Sequence, residues 1–424
     1  MTSTKNDHKV AVCTIASANY TAYAKTLADS VKKFEPGLSF FLLVVDRKTP
    51  EVEQAVHLTG LDVIYAENLG IVDFELLAMK FDIVELNTAL KPTMLKCVFD
   101  KGFDKVVYLD PDIRLFSDLA PVLSALDDNK IVFTPHSQAP VMDGLRPSDI
   151  DFLRSGVFNL GFVGLSASDQ TAAMLDWWED RCLAYGFIDT ALGIFVDQKW
   201  MNLVPCFYEG VHILKHLGCN VAYWNLHERQ VSGGRNGYTV NGVPLCFFHF
   251  SGVKASEPGV LSRHQTRHQI VSDTPLAELV ADYCESLNDN GHKKFCKIPY
   301  SFSHFSNGVP VNNITRRTAC FSVGRQADPF SSEGQFYRFA KSNGLLAAAN
   351  KQDAGMTTMN FNESSRRVRA TNLLVRFAAK ALGTHRLTAL ARYMSILGRE
   401  DNLARVLSKT PFEFGHINDK TRQL

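Results

Sequence analysis

The sequence has little net charge and no long apolar run. Its 45 lysine and arginine residues balance 44 aspartate and glutamate residues, so composition predicts no general surface for nucleic acid. No run of about 18 or more apolar residues occurs, so we expect no membrane-spanning helix. The opening MTSTKNDHKVAVCTIA does not have a basic segment followed by a long apolar core, so we expect no signal peptide.

The nine cysteines are scattered, and none forms a CxxC pair. This spacing is typical of reduced, mostly buried thiols and predicts neither a disulfide framework nor a zinc site. We therefore expect a cytoplasmic protein. No GxGxxG follows the first predicted strand and no GxxxxGK[ST] occurs anywhere, so a dinucleotide fingerprint and a P-loop are both missing.

The order of apolar segments indicates an α/β fold. Short runs rich in β-branched residues predict strands, and segments with helical spacing predict helices. The predicted strands are Val10–Ile15, Phe40–Val45, Leu61–Tyr65, Val106–Leu109, Ile131–Thr134 and Val157–Leu165, and the predicted helices include Thr21–Phe34 and Phe81–Phe99. Alternating strands and helices predict crossover connections, and therefore a mostly parallel sheet with helices on both faces.

The composition changes near Pro299. The segments YSFSHFSNGVPVNN and RQADPFSSEG are rich in Ser, Asn, Gly and Pro and predict extended linkers, and helices with many arginines follow from about Ser364. We predict a first domain at residues 1–298 and, at 299–424, a linker with a basic helical region. The basic helices fit two situations: contact with an anionic membrane surface, or packing on the first domain with their basic faces outward.

The stretch VVYLDPDIRLF places two carboxylates, Asp110 and Asp112, directly after an apolar strand. A divalent cation would relieve their repulsion, because Mg²⁺ and Mn²⁺ prefer carboxylate oxygens and substrate phosphates as ligands. The alternative is a solvated DPD turn. Asn19, Tyr20 and Asp46 also follow predicted strands, at the edge of a parallel sheet where ligands bind.

Five segments occur in the order ASANYTAY, YLDPD, FNLGFVGL, VDQKWMN and HFSGVK, within residues 8–255. Together they resemble the motifs of GT-A-fold glycosyltransferases, and among these family 8, which includes glycogenin and bacterial lipopolysaccharide glycosyltransferases. The resemblance implies a Rossmann-like α/β GT-A fold with a helical C-terminal extension. It also implies transfer of a sugar from a nucleoside-diphosphate donor, a UDP-sugar, to a hydroxyl acceptor, with retention of the anomeric configuration.

The resemblance also implies a role for each matching residue. Asp110, Asp112 and His249 would hold Mn²⁺ or Mg²⁺. Asp197 and Gln198 would act in catalysis, Gln198 by stabilising the reacting sugar and Asp197 by positioning the sugar or the acceptor. The donor would be bound by Asn19, Tyr20, Lys91, Asp110, Asn159, Gly252 and Lys254. In this set Tyr20 would stack on the base, and Lys91 stands where the family has an arginine upstream of the aspartates.

Several of these residues also have ordinary structural interpretations. His249 closes an apolar strand and fits a packed core histidine, and Asp197 fits an N-cap of a helix that begins at DQKWMNLV. Trp177, Trp178 and Trp200 fit core positions or walls of an acceptor cleft. A basic loop follows His249, and it fits either a solvated segment or a loop that closes over a diphosphate. Its residues are Lys254, Arg263, His264, Arg267 and His268.

The sequence leaves two other functions open. One is a nucleotidylyltransferase with aspartate-held Mg²⁺, and the other is a carbohydrate-binding relative that has lost catalysis. For the proposed transferase we expect a nucleotide-sugar donor and a glycan, lipid-linked or protein acceptor, and no nucleic acid. The basic C-terminal helices would contact the inner face of a membrane if they do not pack on the first domain.

Overall fold

A computed structural model of the protein describes residues 8–322, 328–346 and 366–409. Over these ranges the chain forms two compact units. The first comprises Met1–Phe74 and Ile83–Ser301, and the second comprises Glu75–Asp82 and Phe302–Leu424, as far as these ranges are described. The predicted ranges 1–298 and 299–424 stay a prediction, and the sequence did not indicate that residues 75–82 belong with the second unit.

The strands alternate with helices through most of the first unit. In chain order they are β1 (Val10–Ala16), β2 (Ser39–Val44), β3 (Asp62–Tyr65), β4 (Lys105–Leu109), β5 (Ile113–Leu115), β6 (Ile131–Pro135), β7 (Phe158–Ser166), β8 (Ile188–Asp189), β9 (Ile194–Phe195), β10 (Val211–Ile213), β11 (Val231–Gly234), β12 (Gly237–Val240), β13 (Val243–Pro244) and β14 (Phe247–His249).

A seven-stranded sheet has the spatial order β10–β6–β7–β4–β1–β2–β3. Strand β1 is parallel to β2 and to β4, β2 is parallel to β3, and β10 is parallel to β6. Strand β7 is antiparallel to both of its neighbours, β4 and β6. Because the crossovers make most pairs parallel, the carboxyl ends of β1, β2 and β4 meet at one edge.

In chain order, the first α-helices are α1 (Thr21–Phe34), α2 (Pro50–His57), α3 (Phe74–Lys80), α4 (Ile83–Ala89), α5 (Lys91–Phe99) and α6 (Ala120–Asp128). They continue with α7 (Asp149–Ser155), α8 (Asp169–Tyr185), α9 (Val204–Phe207), α10 (Pro275–Asp289) and α11 (His292–Phe295). Most of α3 belongs to the second unit, which also contains α12 (Asn313–Ser322), α13 (Gln335–Ser342), α14 (Arg366–Leu382), α15 (Thr384–Leu397) and α16 (Glu400–Leu407).

Helices cover both faces of the sheet. Val107 and Leu109 of β4 belong to one apolar cluster with Leu27 of α1 and Leu126 of α6. Successive residues of a strand point to opposite faces, so Tyr108 points the other way, and there its ring lies 4.4 Å from Nζ of Lys91 of α5. This arrangement confirms the predicted α/β class, a mostly parallel sheet with helices on both faces, accompanied by C-terminal helices.

The structure corrects one predicted element. The helix predicted over Phe81–Phe99 is two helices, α4 and α5, which are separated at Leu90. Pro92 lies in the first turn of α5, where its missing N–H removes no intrahelical hydrogen bond. The break matters because it places Lys91 at the start of α5 with its side chain buried.

The second unit contains a buried arginine that binds several backbone carbonyls. The guanidinium of Arg316 in α12 donates to the carbonyls of Ala78, Phe81 and Phe302 at 2.6–3.0 Å. These bonds satisfy backbone acceptors where α3 ends and where the chain enters the unit. Part of the predicted linker RQADPFSSEG, residues 325–327, lies outside the described residues, as do Ser364 and Ser365. Within the described part of the chain, every helix is too short or too polar to cross a bilayer.

Candidate metal and nucleotide site

Two aspartates follow strand β4 at the carboxyl edge of the sheet. The backbone N–H of Asp110 donates to the carbonyl of Gly161 in β7 at 2.8 Å, which extends the β4–β7 pairing by one residue. The hydroxyl of Tyr108 donates to Oδ1 of Asp110 at 2.7 Å. Both carboxylates keep part of their surface exposed, 28% for Asp110 and 22% for Asp112. Asp110 is therefore held in place, and both carboxylates are accessible to a ligand.

The third side chain of the candidate metal site comes from strand β14. This strand pairs antiparallel with β5, and the pairing sets His249 opposite Ile113, the residue after Asp112. Nε2 of His249 lies 3.0 Å from Oδ1 of Asp112 and 3.9 Å from Oδ2 of Asp110. Burial alone would lower the pKa of His249, but the two carboxylates outweigh it and raise the pKa above its usual range.

These three side chains fit a divalent cation. Their donor atoms all lie within 4.8 Å of one another. Mn²⁺ readily accepts two carboxylates and one imidazole as ligands, whereas Mg²⁺ prefers the carboxylate oxygens. A Cβ at Gly161 would overlap Cε1 of His249 and lie 2.7 Å from its Nδ1. The glycine therefore leaves the space that the imidazole needs beside the carboxylates.

A buried ion pair lies next to the carboxylates. Nζ of Lys91 is 2.7 Å from Oδ2 of Asp197, 2.7 Å from the carbonyl of Leu160 and 3.8 Å from Oδ1 of Asp110. Burial raises the pKa of Asp197, and the charge of Lys91 opposes that shift. Burial by itself would lower the pKa of Lys91, but the nearby carboxylates of Asp197 and Asp110 outweigh burial and raise that pKa. Lys91 therefore links a predicted catalytic residue to a predicted metal ligand.

The N-cap interpretation of Asp197 is wrong for its side chain. A 3₁₀ helix, Gln198–Leu203, does begin after Asp197, but the carboxylate makes no capping hydrogen bond and pairs with Lys91 instead. The backbone carbonyl of Asp197 accepts a hydrogen bond from Nε1 of Trp178, whose ring is fully buried. Trp178 is thus a core residue that supports the position of Asp197.

Gln198 and Asn159 are both buried and hydrogen-bonded. Oε1 of Gln198 accepts from the N–H of Leu160 at 3.1 Å, and its Nε2 donates to the carbonyl of Ser155 at 3.0 Å. Oδ1 of Asn159 accepts from the N–H of Gly161 at 3.1 Å. Both amides therefore hold the segment of β7 that borders the carboxylates, and their predicted roles toward a substrate stay predictions.

Tyr20 and Asn19 form the turn after β1. The ring of Tyr20 is 42% exposed and stacks on Tyr23, with 4.5 Å between ring centroids. Asp46, at the end of β2, is buried and accepts the N–H of Ala18 at 2.7 Å, so it braces this turn. Oδ1 of Asn19 is buried and has no hydrogen-bond partner among the described residues. The exposed face of Tyr20 is available to a planar ligand.

The segment after β14 contains the remaining residues that were predicted to bind the nucleotide-sugar donor. Gly252 has a φ of +80°, and a Cβ there would lie 2.6 Å from Oγ of Ser262. The side chain of Lys254 is 47% exposed, and its ammonium is 3.9 Å from Glu257. In the basic loop, Arg263 pairs with Glu257, and Arg267 pairs with Asp143. These arginines are thus engaged by carboxylates.

Four further residues contact the predicted site residues, and the sequence analysis did not predict these contacts. The ring of Trp224 meets His249 edge to face at 5.0 Å, and Nδ2 of Asn220 donates to Oδ1 of Asn159 at 3.0 Å. His136 lies 3.4 Å from Asn159, and Tyr108 holds Asp110. Tyr108 could have been found from its place two residues before Asp110. The other contacts depend on long-range packing, for which the sequence shows no signal.

Comparisons with known proteins identify relatives without an assigned activity. A scan against protein-family models finds no match for this chain. The uncharacterized protein YfnF of Bacillus subtilis (strain 168) is 26% identical over 250 residues, which span 58% of this chain and 82% of that protein. The uncharacterized protein YfnD of the same organism is 27% identical over 245 residues, 56% of this chain and 76% of that protein.

Two glycosyltransferases are among the solved structures that are similar to this one. The galactosyltransferase LgtC, solved with donor and acceptor sugar analogues, is 16% identical with a TM-score of 0.38, and the match covers 68% of this chain and 97% of that one. The glycosyltransferase GlyE of Streptococcus pneumoniae TIGR4 is 16% identical with a TM-score of 0.39, covering 72% and 67%. At these values the likeness by itself assigns no activity.

Proposed function

We propose that the protein is a metal-dependent glycosyltransferase. It moves a sugar from a nucleoside-diphosphate donor, a UDP-sugar, to a hydroxyl acceptor that is a glycan, a lipid-linked sugar or a protein. The observation that carries this proposal is the convergence of Asp110, Asp112 and His249, whose donor atoms lie within 4.8 Å at the carboxyl edge of the sheet. Ligands of open α/β sheets bind at that edge.

A cation held by Asp110, Asp112 and His249 would supply the positive charge that offsets the charge developing on the leaving diphosphate. The chain's own residues prepare this site. Tyr108 orients the Asp110 carboxylate by its hydroxyl. The exposed ring of Tyr20 supports a base-stacking role, because a flat aromatic face gains roughly 1–3 kcal/mol per stacked base.

We propose that the reaction retains the anomeric configuration by a same-face route. Both ends of the Gln198 amide are bound to backbone groups, and a neutral amide is a poor nucleophile. Asp197 forms an ion pair with Lys91 at 2.7 Å, and this pairing weakens the carboxylate as a nucleophile. NMR analysis of the product anomer tests this route: we expect the donor configuration, and an inverted product would refute it.

The central test uses UDP binding rather than turnover. We expect UDP with Mn²⁺ to stabilise the protein by about 2.7 kcal/mol at a concentration near 100 times its Kd, and UDP alone to stabilise it much less. Asp112→Asn should remove the metal-dependent part and leave the fold intact. Asp128→Asn, an exposed carboxylate at the end of α6, is the matched control. Equal stabilisation with and without Mn²⁺ in the wild type would overturn the proposal.

Turnover distinguishes transfer from the other functions. We expect slow release of UDP from a panel of nucleotide sugars, faster with the correct acceptor, and none from Asp112→Ala. Formation of a nucleotide sugar from a nucleoside triphosphate and a sugar phosphate would instead identify a nucleotidylyltransferase. Metal-dependent UDP binding without release from any donor would identify a non-catalytic relative.

We further propose that helices α14 and α15 contact an anionic membrane surface on the cytoplasmic side, where the enzyme builds cell-surface glycan. Leu374 and Phe377 are 69% and 72% exposed, and residues 366–399 contain no acidic residue. Apolar side chains among arginines suit the lipid interface. The nine cysteines are unpaired, which fits a reducing compartment.

Sedimentation with vesicles tests this contact. We expect binding to vesicles that contain phosphatidylserine, weaker binding at high salt, and little binding to phosphatidylcholine alone. Phe377→Ser should reduce binding, whereas Leu58→Ser, a substitution of an exposed apolar residue of the first unit, should not. Equal binding to both kinds of vesicle would contradict a role for the basic side chains.

A further inference from the structure

A second group of metal-binding side chains lies outside the candidate site. It consists of His216, Cys219 and Cys246, whose donor atoms lie within 4.8 Å of one another. Nδ1 of His216 is 3.6 Å from Sγ of Cys219 and 3.9 Å from Sγ of Cys246. The sequence did not indicate this group, because Cys246 is distant along the chain from the HLGC turn that carries the other two residues.

The distances match the edges of a small tetrahedron. With Zn–S bonds of about 2.3 Å and Zn–N bonds of about 2.0–2.1 Å, tetrahedral geometry sets nitrogen and sulfur about 3.6 Å apart. The two nitrogen–sulfur distances are close to that value without any rearrangement of the chain. Two thiolates and one imidazole form a soft donor set, which selects Zn²⁺ over Mg²⁺ or Mn²⁺.

Backbone contacts hold the turn against the strand region that carries Cys246. The N–H of Cys246 donates to the carbonyl of Gly218 at 2.8 Å. A Cβ at Gly218 would overlap the carbonyl oxygen of Pro244, so a glycine is required for this close approach. The guanidinium of Arg229 donates to the carbonyls of Leu217 and Cys219 at 3.1 Å and 2.7 Å and braces the turn.

The two cysteines of this group are buried, whereas the histidine is partly accessible to solvent. Cys219 and Cys246 are 0% and 2% exposed and belong to an apolar cluster with Phe247. His216 is only partly buried, so an ion and a fourth ligand from solvent can reach the group from its side. The N–H of Gly218 lies 3.2 Å from Nδ1 of His216 and can donate to it, and a cation bound at Nδ1 would replace this hydrogen bond.

We propose that His216, Cys219 and Cys246 form a binding site for a Zn²⁺ ion, with water as the fourth ligand. Binding releases two thiol protons to solvent and forms two Zn–S bonds and one Zn–N bond, so the bound unit is neutral. The ion ties the HLGC turn to the strand that ends at His249. Asn220 and Val221 follow Cys219 directly, and the N–H of His249 donates to the carbonyl of Val221 at 2.8 Å.

Metal content and cobalt spectroscopy on the full chain test the proposal. We expect one zinc per chain after purification or reconstitution and dialysis. Substitution with Co²⁺ should produce a thiolate-to-metal charge-transfer band. The Asp110–Asp112–His249 site contains no sulfur and cannot produce that band. Asp112→Asn should therefore leave the band unchanged, which keeps this site distinct from the proposed function.

Variants locate the ligands. Cys219→Ser and Cys246→Ser should each weaken Co²⁺ binding at least as much as loss of an outer-shell partner does, roughly 10–100-fold. Cys206→Ser, at an exposed cysteine, is the matched control and should bind like the wild type. If a variant fails to fold, the wild-type spectrum still decides the question. A wild type without the thiolate band, or with a Cys219–Cys246 disulfide in the presence of zinc, would overturn the proposal.

Discussion

The ammonium group of Lys91 lies 2.7 Å from the carboxylate of Asp197, and only 2% of either side chain is exposed. This pair joins the first turn of α5 to the residue before the 3₁₀ helix that contains Gln198. A buried ion pair contributes little net stability, but removal of one partner leaves an uncompensated charge in a medium of low dielectric constant.

Lys91→Met should therefore destabilise the protein strongly. We expect a loss of about 3–5 kcal/mol in the free energy of unfolding, measured by urea denaturation at pH 7. The matched control is Lys96→Met in the same helix, because the Lys96 side chain is 36% exposed and pairs with Asp176 and Glu179. Its loss should stay below about 1 kcal/mol. Equal losses of unfolding free energy in the two variants would show that burial of the Lys91–Asp197 pair does not determine the effect.

Gly161→Ala should disturb the metal site through His249. The added Cβ would overlap the imidazole and lie 2.9 Å from Oδ1 of Asn159, so the ring must move away from Asp112. We expect Mn²⁺ affinity to fall about tenfold or more, measured as free Mn²⁺ by electron paramagnetic resonance. Gly164→Ala on the same strand would meet the side chain of Leu126 at 3.1 Å and should leave Mn²⁺ affinity unchanged. If both variants bind Mn²⁺ like the wild type, His249 is not a ligand.

His136 should make stability depend on pH. Burial lowers the pKa of its imidazole from 6.5 to about 4. As the pH falls from about 6.5 to about 4, the unfolded chain gains a proton that the folded protein does not take up, so stability is lost in this range. The loss should reach about 3 kcal/mol by pH 4.

Denaturation series at several pH values would measure this effect. His136→Gln should be less stable than the wild type at pH 7, because the ring contacts of His136 with Phe152 and Trp224 are lost. Its stability should change less between pH 6.5 and pH 4. His57→Gln, at an exposed position, is the matched control. A wild-type slope in His136→Gln would assign the pH dependence to other groups.

Arg267→Lys should loosen the loop around Leu145. The guanidinium donates to both carboxylate oxygens of Asp143 and to the carbonyls of Leu145 and Pro147, and an ammonium cannot reproduce this forked geometry. We expect hydrogen exchange of the Leu145 amide to accelerate about tenfold, which corresponds to about 1.4 kcal/mol. Arg263→Lys should not change it, since Arg263 is 56% exposed and pairs with Glu257. Unchanged exchange in Arg267→Lys would show that the loop is held by other contacts.

The bounds of the predicted strands agree with the structure to within one residue, because most of these strands are buried in the sheet and have continuous apolar runs that stand out locally. The helix Thr21–Phe34 was predicted with the bounds that the structure has. The break at Leu90 was harder to locate, since Pro92 is tolerated either in a first turn or at a kink. The contribution of residues 75–82 to the second unit depends on long-range contacts, such as those of Arg316 with Ala78 and Phe81.

The candidate site was partly readable from the sequence. Asp110 and Asp112 stood out because they place two like charges one residue apart, directly after an apolar strand. The sequence could not show that β14 pairs with β5, and this pairing brings His249 to Asp112. It also could not show that Lys91 pairs with Asp197, or that both ends of the Gln198 amide bind backbone groups.

The sequence by itself determined the α/β class and the position of the two carboxylates at a strand end, because local apolar periodicity and strand ends are properties of short segments. The tertiary structure decided which distant side chains meet those carboxylates and which thiols meet His216. Such contacts join residues that are far apart along the chain, and they depend on strand pairing and close packing that no local pattern encodes.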